Sequence, residues 1–80
     1  MKVENLITDE AVRIVFEGTN FGGTSPRELI KEDLIKIHEG WAIGHTSQCC
    51  LQGLGLIYMK SDRSYYLTRI GVKYLEIINS

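Results

Sequence analysis

His45, Cys49 and Cys50 are the side chains with the most obvious chemical reach. Two cysteines cannot build the four-ligand structural zinc site that a CxxC…CxxC pair announces. His45 and Cys49 are four residues apart and share one face of a helix, so with Cys50 or a second chain they could hold a soft metal. Against this, Cys50 fits an apolar stripe, where a free cysteine behaves as a small hydrophobe. A bond between adjacent cysteines is strained and disfavoured in a reducing compartment. Thiol or metal sensing is therefore the weakest reading, and no metal, cofactor or small-molecule effector is expected.

Enzyme chemistry finds little footing. The sequence has no phosphate-loop pattern and no carboxylates paired at a catalytic spacing, and neither Ser25 nor Ser47 has His and Asp partners for a triad. No enzymatic activity is expected. His38, late in a predicted helix, suits packing or an interaction with the helix dipole better than catalysis. Tyr58, Tyr65 and Tyr66 could stack bases as aromatic-faced sheets do, but aromatic packing across a hairpin accounts for them more simply.

The elements that position these residues follow from local signals. Leu54-Gly55 reads as a helix end with a chain reversal, and residues 56–59 and 65–67 as the strands of a short hairpin. Ser61 to Ser64 form its solvated turn. Upstream, Met1 to Ile7 read as a frayed lead with Leu6 and Ile7 tucked under a first helix. That helix is capped at Thr8 or Asp9, buries Ala11, Val12, Val15 and Phe16, and ends at Gly18. A loop follows with Phe21 as its apolar anchor, and a short strand over 21–24 could pair with the later hairpin.

Ser25, Pro26 and Glu28 are the strongest helix start in the chain. The helix they open places Leu29, Ile30, Leu34, Ile37 and His38 on one face and Arg27, Lys31, Glu32, Asp33, Lys36 and Glu39 mostly on the other. Glu32 and Lys36 suit an i,i+4 ion pair, and Gly40 ends the helix. Trp41 and Ile43 then lock this helix against a third, which runs from His45 or Thr46 to Leu54. Its inward stripe is Ser47, Cys50, Leu51 and Leu54; His45, Thr46, Gln48, Cys49 and Gln52 face outward. Gly53 marks either close packing or fraying. A final helix, capped by Thr68, buries Val72, Leu75 and Ile78, leaving Tyr74 and Ile77 partly exposed for a monomer's surface or a dimer contact.

Eighty residues make one domain, 1–80, with a small core that dimerisation would help. With 44% hydrophobic and 24% charged residues the chain is that of a folded protein. Nothing approaches a membrane span or a signal core, so a cytoplasmic location is expected. The net charge is −1, but residues 1–40 balance at −3 and residues 41–80 at +2. The half holding the third helix and the hairpin is the basic one.

The run Leu51, Leu54-Gly55-Leu56-Ile57, Tyr66-Leu67-Thr68, Gly71 and Leu75 resembles winged helix-turn-helix regulators of the MarR-like and PadR-like groups and their small phage-type relatives. The resemblance is strong over a little under half the chain and rests elsewhere on element order. It implies a mostly α, α+β fold: a three-helix core, a C-terminal β-hairpin wing and a final helix. It also implies a DNA-binding transcriptional or mobile-element regulator, acting on double-stranded DNA as a homodimer. Helix 45–54 would enter the major groove and wing 56–68 would lie beside it. By position His45, Thr46, Gln48 and Gln52 would meet bases and phosphates, and Lys60, Arg63 and Arg69 would meet phosphates. Arg63 beside Asp62 suits a solvated turn equally well. The alternative is a winged-helix protein-protein interaction module that docks a partner through Tyr74, Ile77 and the outer face of the third helix. The lack of Lys and Arg in that helix supports it.

Overall fold

The computed structural model describes residues 2–18, 23, 25–60 and 64–79. A single 3-10 turn, Val3–Asn5, leads into helices α1 (Asp9–Phe16), α2 (Pro26–His38) and α3 (His45–Gly53). Strands β1 (Ile57–Met59) and β2 (Tyr65–Leu67) follow, and then helix α4 (Arg69–Ile78). The described residues thus form a mostly helical α+β arrangement with one antiparallel hairpin, paired Ile57 to Leu67, Tyr58 to Tyr66 and Met59 to Tyr65. Among them no helix is long and apolar enough to cross a membrane.

Local chemistry sets the helix starts. Thr8 Oγ1 accepts from the Ala11 amide at 3.1 Å, Ser25 Oγ from Glu28 at 3.2 Å, and Thr68 Oγ1 from Gly71 at 3.0 Å. Each oxygen satisfies an amide that a helix N-terminus leaves without a backbone partner.

Helices α2 and α3 end in the same way. Gly40 and Gly55 take positive φ (89° and 74°). The amide two residues past each helix's last half-turn reaches back, Trp41 to the Lys36 carbonyl at 2.7 Å and Leu56 to Leu51 at 3.0 Å. In this motif the residue after the glycine usually packs against the helix it closes. Leu56 does so and is fully buried. Trp41 does not: it is 68% exposed. The expected lock of Trp41 between α2 and α3 is therefore corrected. A reversal that throws the indole outward leaves only Ile43, half-buried, against the core.

One hydrophobic cluster runs through the molecule from Ile7, Val12 and Phe16 through Ile30, Leu34 and Ile37 to Leu51, Leu54, Leu56, Ile57 and Leu75. Ile7 is part of it, and its amide bonds to the Val3 carbonyl at 3.0 Å, so the lead is folded rather than frayed. Gly53 lies inside α3 and is exposed, and a Cβ there would sit 3.7 Å from Val15, an ordinary contact, so neither fraying nor close packing accounts for the glycine.

Helix α4 turns a different face inward than its apolar spacing suggests. Tyr74 is 1% exposed, whereas Val72 is 43% exposed. Gly71 determines this. A Cβ there would fall 2.1 Å from the Leu56 carbonyl oxygen, so the bare side of the helix lies on the hairpin base and carries Tyr74 and Leu75 inward with it. Arg27, placed on the solvent side of α2 by its spacing, follows Tyr74. Its guanidinium donates to the Tyr74 hydroxyl (3.0 Å), the Ile7 carbonyl (2.8 Å) and Asp9 (2.6 Å). Burial pushes the Arg27 pKa down, but the bonds to Asp9 and Tyr74 outweigh it and leave the pKa raised.

Three features of α2 differ from its pattern. His38 is exposed and Asp33 is buried. Glu32 and Lys36 make no ion pair within 4.0 Å; among the described residues such pairs join Arg13 to Glu10 and Arg27 to Asp9. The strand expected over 21–24, its Phe21 anchor and the wing-tip residues Asp62 and Arg63 lie outside the described residues.

Candidate functional site

Helix α3 is held from behind and open in front. Ser47, Cys50 and Leu51 are buried, while His45, Thr46, Cys49 and Gln52 are exposed. The 3.6-residue period produces this split, because every third or fourth residue from Ser47 to Leu54 is apolar or small. The open face carries no Lys, no Arg and no carboxylate.

Gln48 falls at the border. It is half-buried, and its Nε2 donates to the Ile43 carbonyl at 3.1 Å. One amide hydrogen is thus spent bracing the connection that leads into α3. Gly44, the N-cap residue, has no side chain to offer the first amides of the helix. On the open face, Cys49 Sγ lies 3.6 Å from His45 Nε2. Cys50 is turned away, 3.9 Å from the Val15 carbonyl. Burial, with Cys49 adding, raises the Cys50 thiol pKa and makes it a packing group.

Behind α3, Asp33 is 4% exposed. Ser47 faces its carboxyl from α3, and Oδ2 has no hydrogen-bond partner. Desolvation raises the pKa of this carboxyl, against the opposing pull of Ser47 and Lys36.

The hairpin presents a second surface. Tyr58 and Tyr66, cross-strand neighbours, hold their rings 6.0 Å apart at 34° on the outer face. Lys60 Nζ sits 4.4 Å above the Tyr66 ring. The ammonium therefore rests on an aromatic face instead of extending freely, a contact worth roughly 0.5–1 kcal/mol at an exposed site. Arg69 is exposed at the start of α4. It shares a shallow groove of about 390 Å³ with Val72, Lys73 and Glu76.

A larger open cleft, about 510 Å³, lies between the end of α2 and the hairpin, lined by Ile37, Trp41, Ile43, Gln48, Tyr65 and Tyr66 among others. It brings the first half of α3 and strand β2 to one place. Of the expected site residues, the structure places Gln48 on this cleft, His45, Thr46 and Gln52 on the open face of α3, Lys60 on the hairpin and Arg69 on α4. Arg63 lies outside the described residues. Spacing missed the exposure of Trp41 and the burial of Asp33. Nothing local distinguishes an outward Trp41 from an inward one. Asp33 did carry a signal, since with Ile30 and Ile37 it forms an i, i+3, i+7 stripe on the buried face. No family model, curated protein or solved structure matches this chain.

Proposed function

We propose that this chain is a small cytoplasmic winged-helix protein that binds double-stranded DNA as a homodimer and acts as a transcriptional or mobile-element regulator. The observation that carries this is the open face of α3. A helix backed by α1 and β1 offers His45, Thr46 and Gln52 as hydrogen-bonding groups, with no carboxylate to repel phosphate. A major groove about 12 Å wide admits such a helix, and glutamine can pair bidentately with adenine. Gln52 is the free glutamine for that task; Gln48, bonded to Ile43, positions the start of the helix. Lys60, Arg69 and Lys73 supply phosphate contacts, and Arg63, expected from the sequence, would add another.

Gel-shift titration over a salt series tests this. Binding should weaken steeply with salt, and Arg69→Ala should reduce the log–log slope by about 1. Gln52→Ala should relax sequence preference at near-constant salt slope. Absence of binding to any duplex at low salt, the protein's own upstream region included, would refute the assignment.

One observation favours the interaction-module reading, namely the exposure of Trp41 and Met59. Large exposed aromatics are the usual anchors of protein interfaces. Tyr74 cannot serve there, since it is buried. In that case a stable partner would be lost in Trp41→Ala and indifferent to duplex DNA.

A further inference from the structure

The His45–Cys49 pair has a geometry that its spacing alone does not reveal. A tetrahedral cation of the zinc class binds imidazole nitrogen at about 2.05 Å and thiolate sulfur at about 2.3 Å, which sets the two donors about 3.6 Å apart. His45 Nε2 and Cys49 Sγ are 3.6 Å apart. Both side chains are exposed on adjacent turns of α3, so a cation could enter between them without moving the backbone.

We propose that His45 and Cys49 form a half-site for a borderline-soft divalent cation, closed by the same pair from a second copy of this chain. Among the described residues no group of three or more His, Cys, Asp or Glu could hold a metal, so a third ligand must come from elsewhere. Cys50 is excluded by its burial against Val15. A second copy supplies the missing two ligands by two-fold symmetry, giving an N₂S₂ tetrahedron suited to zinc. The open face of α3 also suits such an approach, because Thr46 and Gln52 bring no like charges together. Each Cys49 thiol releases its proton to solvent as the sulfur–metal bond forms, and two thiolates then neutralise the dication. The proposal does not rest on duplex binding: a dimer closed through this pair covers the α3 face offered to the groove, so metal-loaded chain should not bind a duplex through α3.

The test is titration of the full, reduced chain with Co²⁺, followed by absorbance and by sedimentation. Tetrahedral cobalt–thiolate bands should appear and saturate at one metal per two chains, with a metal-dependent dimer. Excess Zn²⁺ should displace the cobalt and bleach the bands. His45→Ala and Cys49→Ser should each weaken binding at least tenfold while leaving the helical circular dichroism unchanged, and Cys50→Ser should bind like the parent. No thiolate band, equal binding by His45→Ala, dependence on Cys50, or saturation at one metal per monomer would each overturn the proposal.

Discussion

The Thr68 hydroxyl donates to the Gly55 carbonyl at 2.6 Å and accepts from the Gly71 amide at 3.0 Å. One side chain thereby joins the reversal after α3, the end of the hairpin and the first turn of α4. The Thr68 amide adds a bond to the Leu56 carbonyl at 3.0 Å. The hairpin is anchored at its base by backbone and hydroxyl together.

Replacing Thr68 by valine keeps the shape and deletes both hydroxyl bonds. The expected loss is about 2–3 kcal/mol, combining a cap with a part-buried bond, and Thr68→Ser should recover most of it. Urea denaturation monitored by circular dichroism measures both. A loss under about 0.5 kcal/mol in Thr68→Val would show that the hairpin base is held by the backbone alone.

Two glycines give opposite expectations for the same substitution. Gly71→Ala drives a Cβ to 2.1 Å from backbone oxygen and should cost more than about 4 kcal/mol or prevent folding. Gly53→Ala meets only Val15 side-chain atoms at ordinary contact distance, within a helix, and should stabilise by roughly 0.5–1 kcal/mol. Thermal melts of the two variants would separate close approach from mere flexibility.

Asp33 predicts a pH dependence. Its carboxyl pKa is raised above the ordinary 3.8 by burial, so the folded state favours the protonated form. The resulting stability is complete below the unfolded value and is lost as pH rises through the higher folded value. At neutral pH an ionised carboxylate with an unpartnered Oδ2 is a liability. Asp33→Asn should therefore stabilise the protein by roughly 1 kcal/mol at pH 7, with the gain shrinking toward pH 3. A gain that is the same at both pH values would rule out titration of Asp33 as its source.

Arg27 and Tyr74 should be energetically coupled. Tyr74→Phe is expected to cost about 1–2 kcal/mol in the parent and close to nothing in an Arg27→Met background, since the lost bond is to a charged donor. Additive losses in the double variant would mean that the hydroxyl contributes nothing through Arg27.

The parts of this fold that were legible in the sequence are those settled within four or five residues. The caps at Thr8, Ser25 and Thr68, the reversals at Gly40 and Gly55, and the Ser47, Cys50, Leu51, Leu54 stripe need only local spacing. The buried face of helix α4 is not legible from spacing because apolar residues surround it, at Ile70, Val72, Tyr74, Leu75, Ile77 and Ile78. The choice among its faces was made by Leu56 and by Arg27, 47 residues away. Gly71 was the available clue, since a glycine inside a helix often marks the side that approaches backbone. The site was legible in part. The outward set on α3 follows from periodicity, while the tether of Gln48 to Ile43 and the 3.6 Å approach of His45 to Cys49 depend on side-chain conformations that spacing does not determine.

The outward indole of Trp41 has a practical result for spectroscopy. It is the chain's sole tryptophan and already stands mostly in water. Its emission in the native state should therefore resemble that of the denatured chain, and melts followed by tryptophan fluorescence would register little. The same property gives a quiet baseline. Any molecule that settles between Trp41 and Tyr65 should shift the emission to the blue, so the protein carries its own unlabelled sensor for whatever enters that cleft.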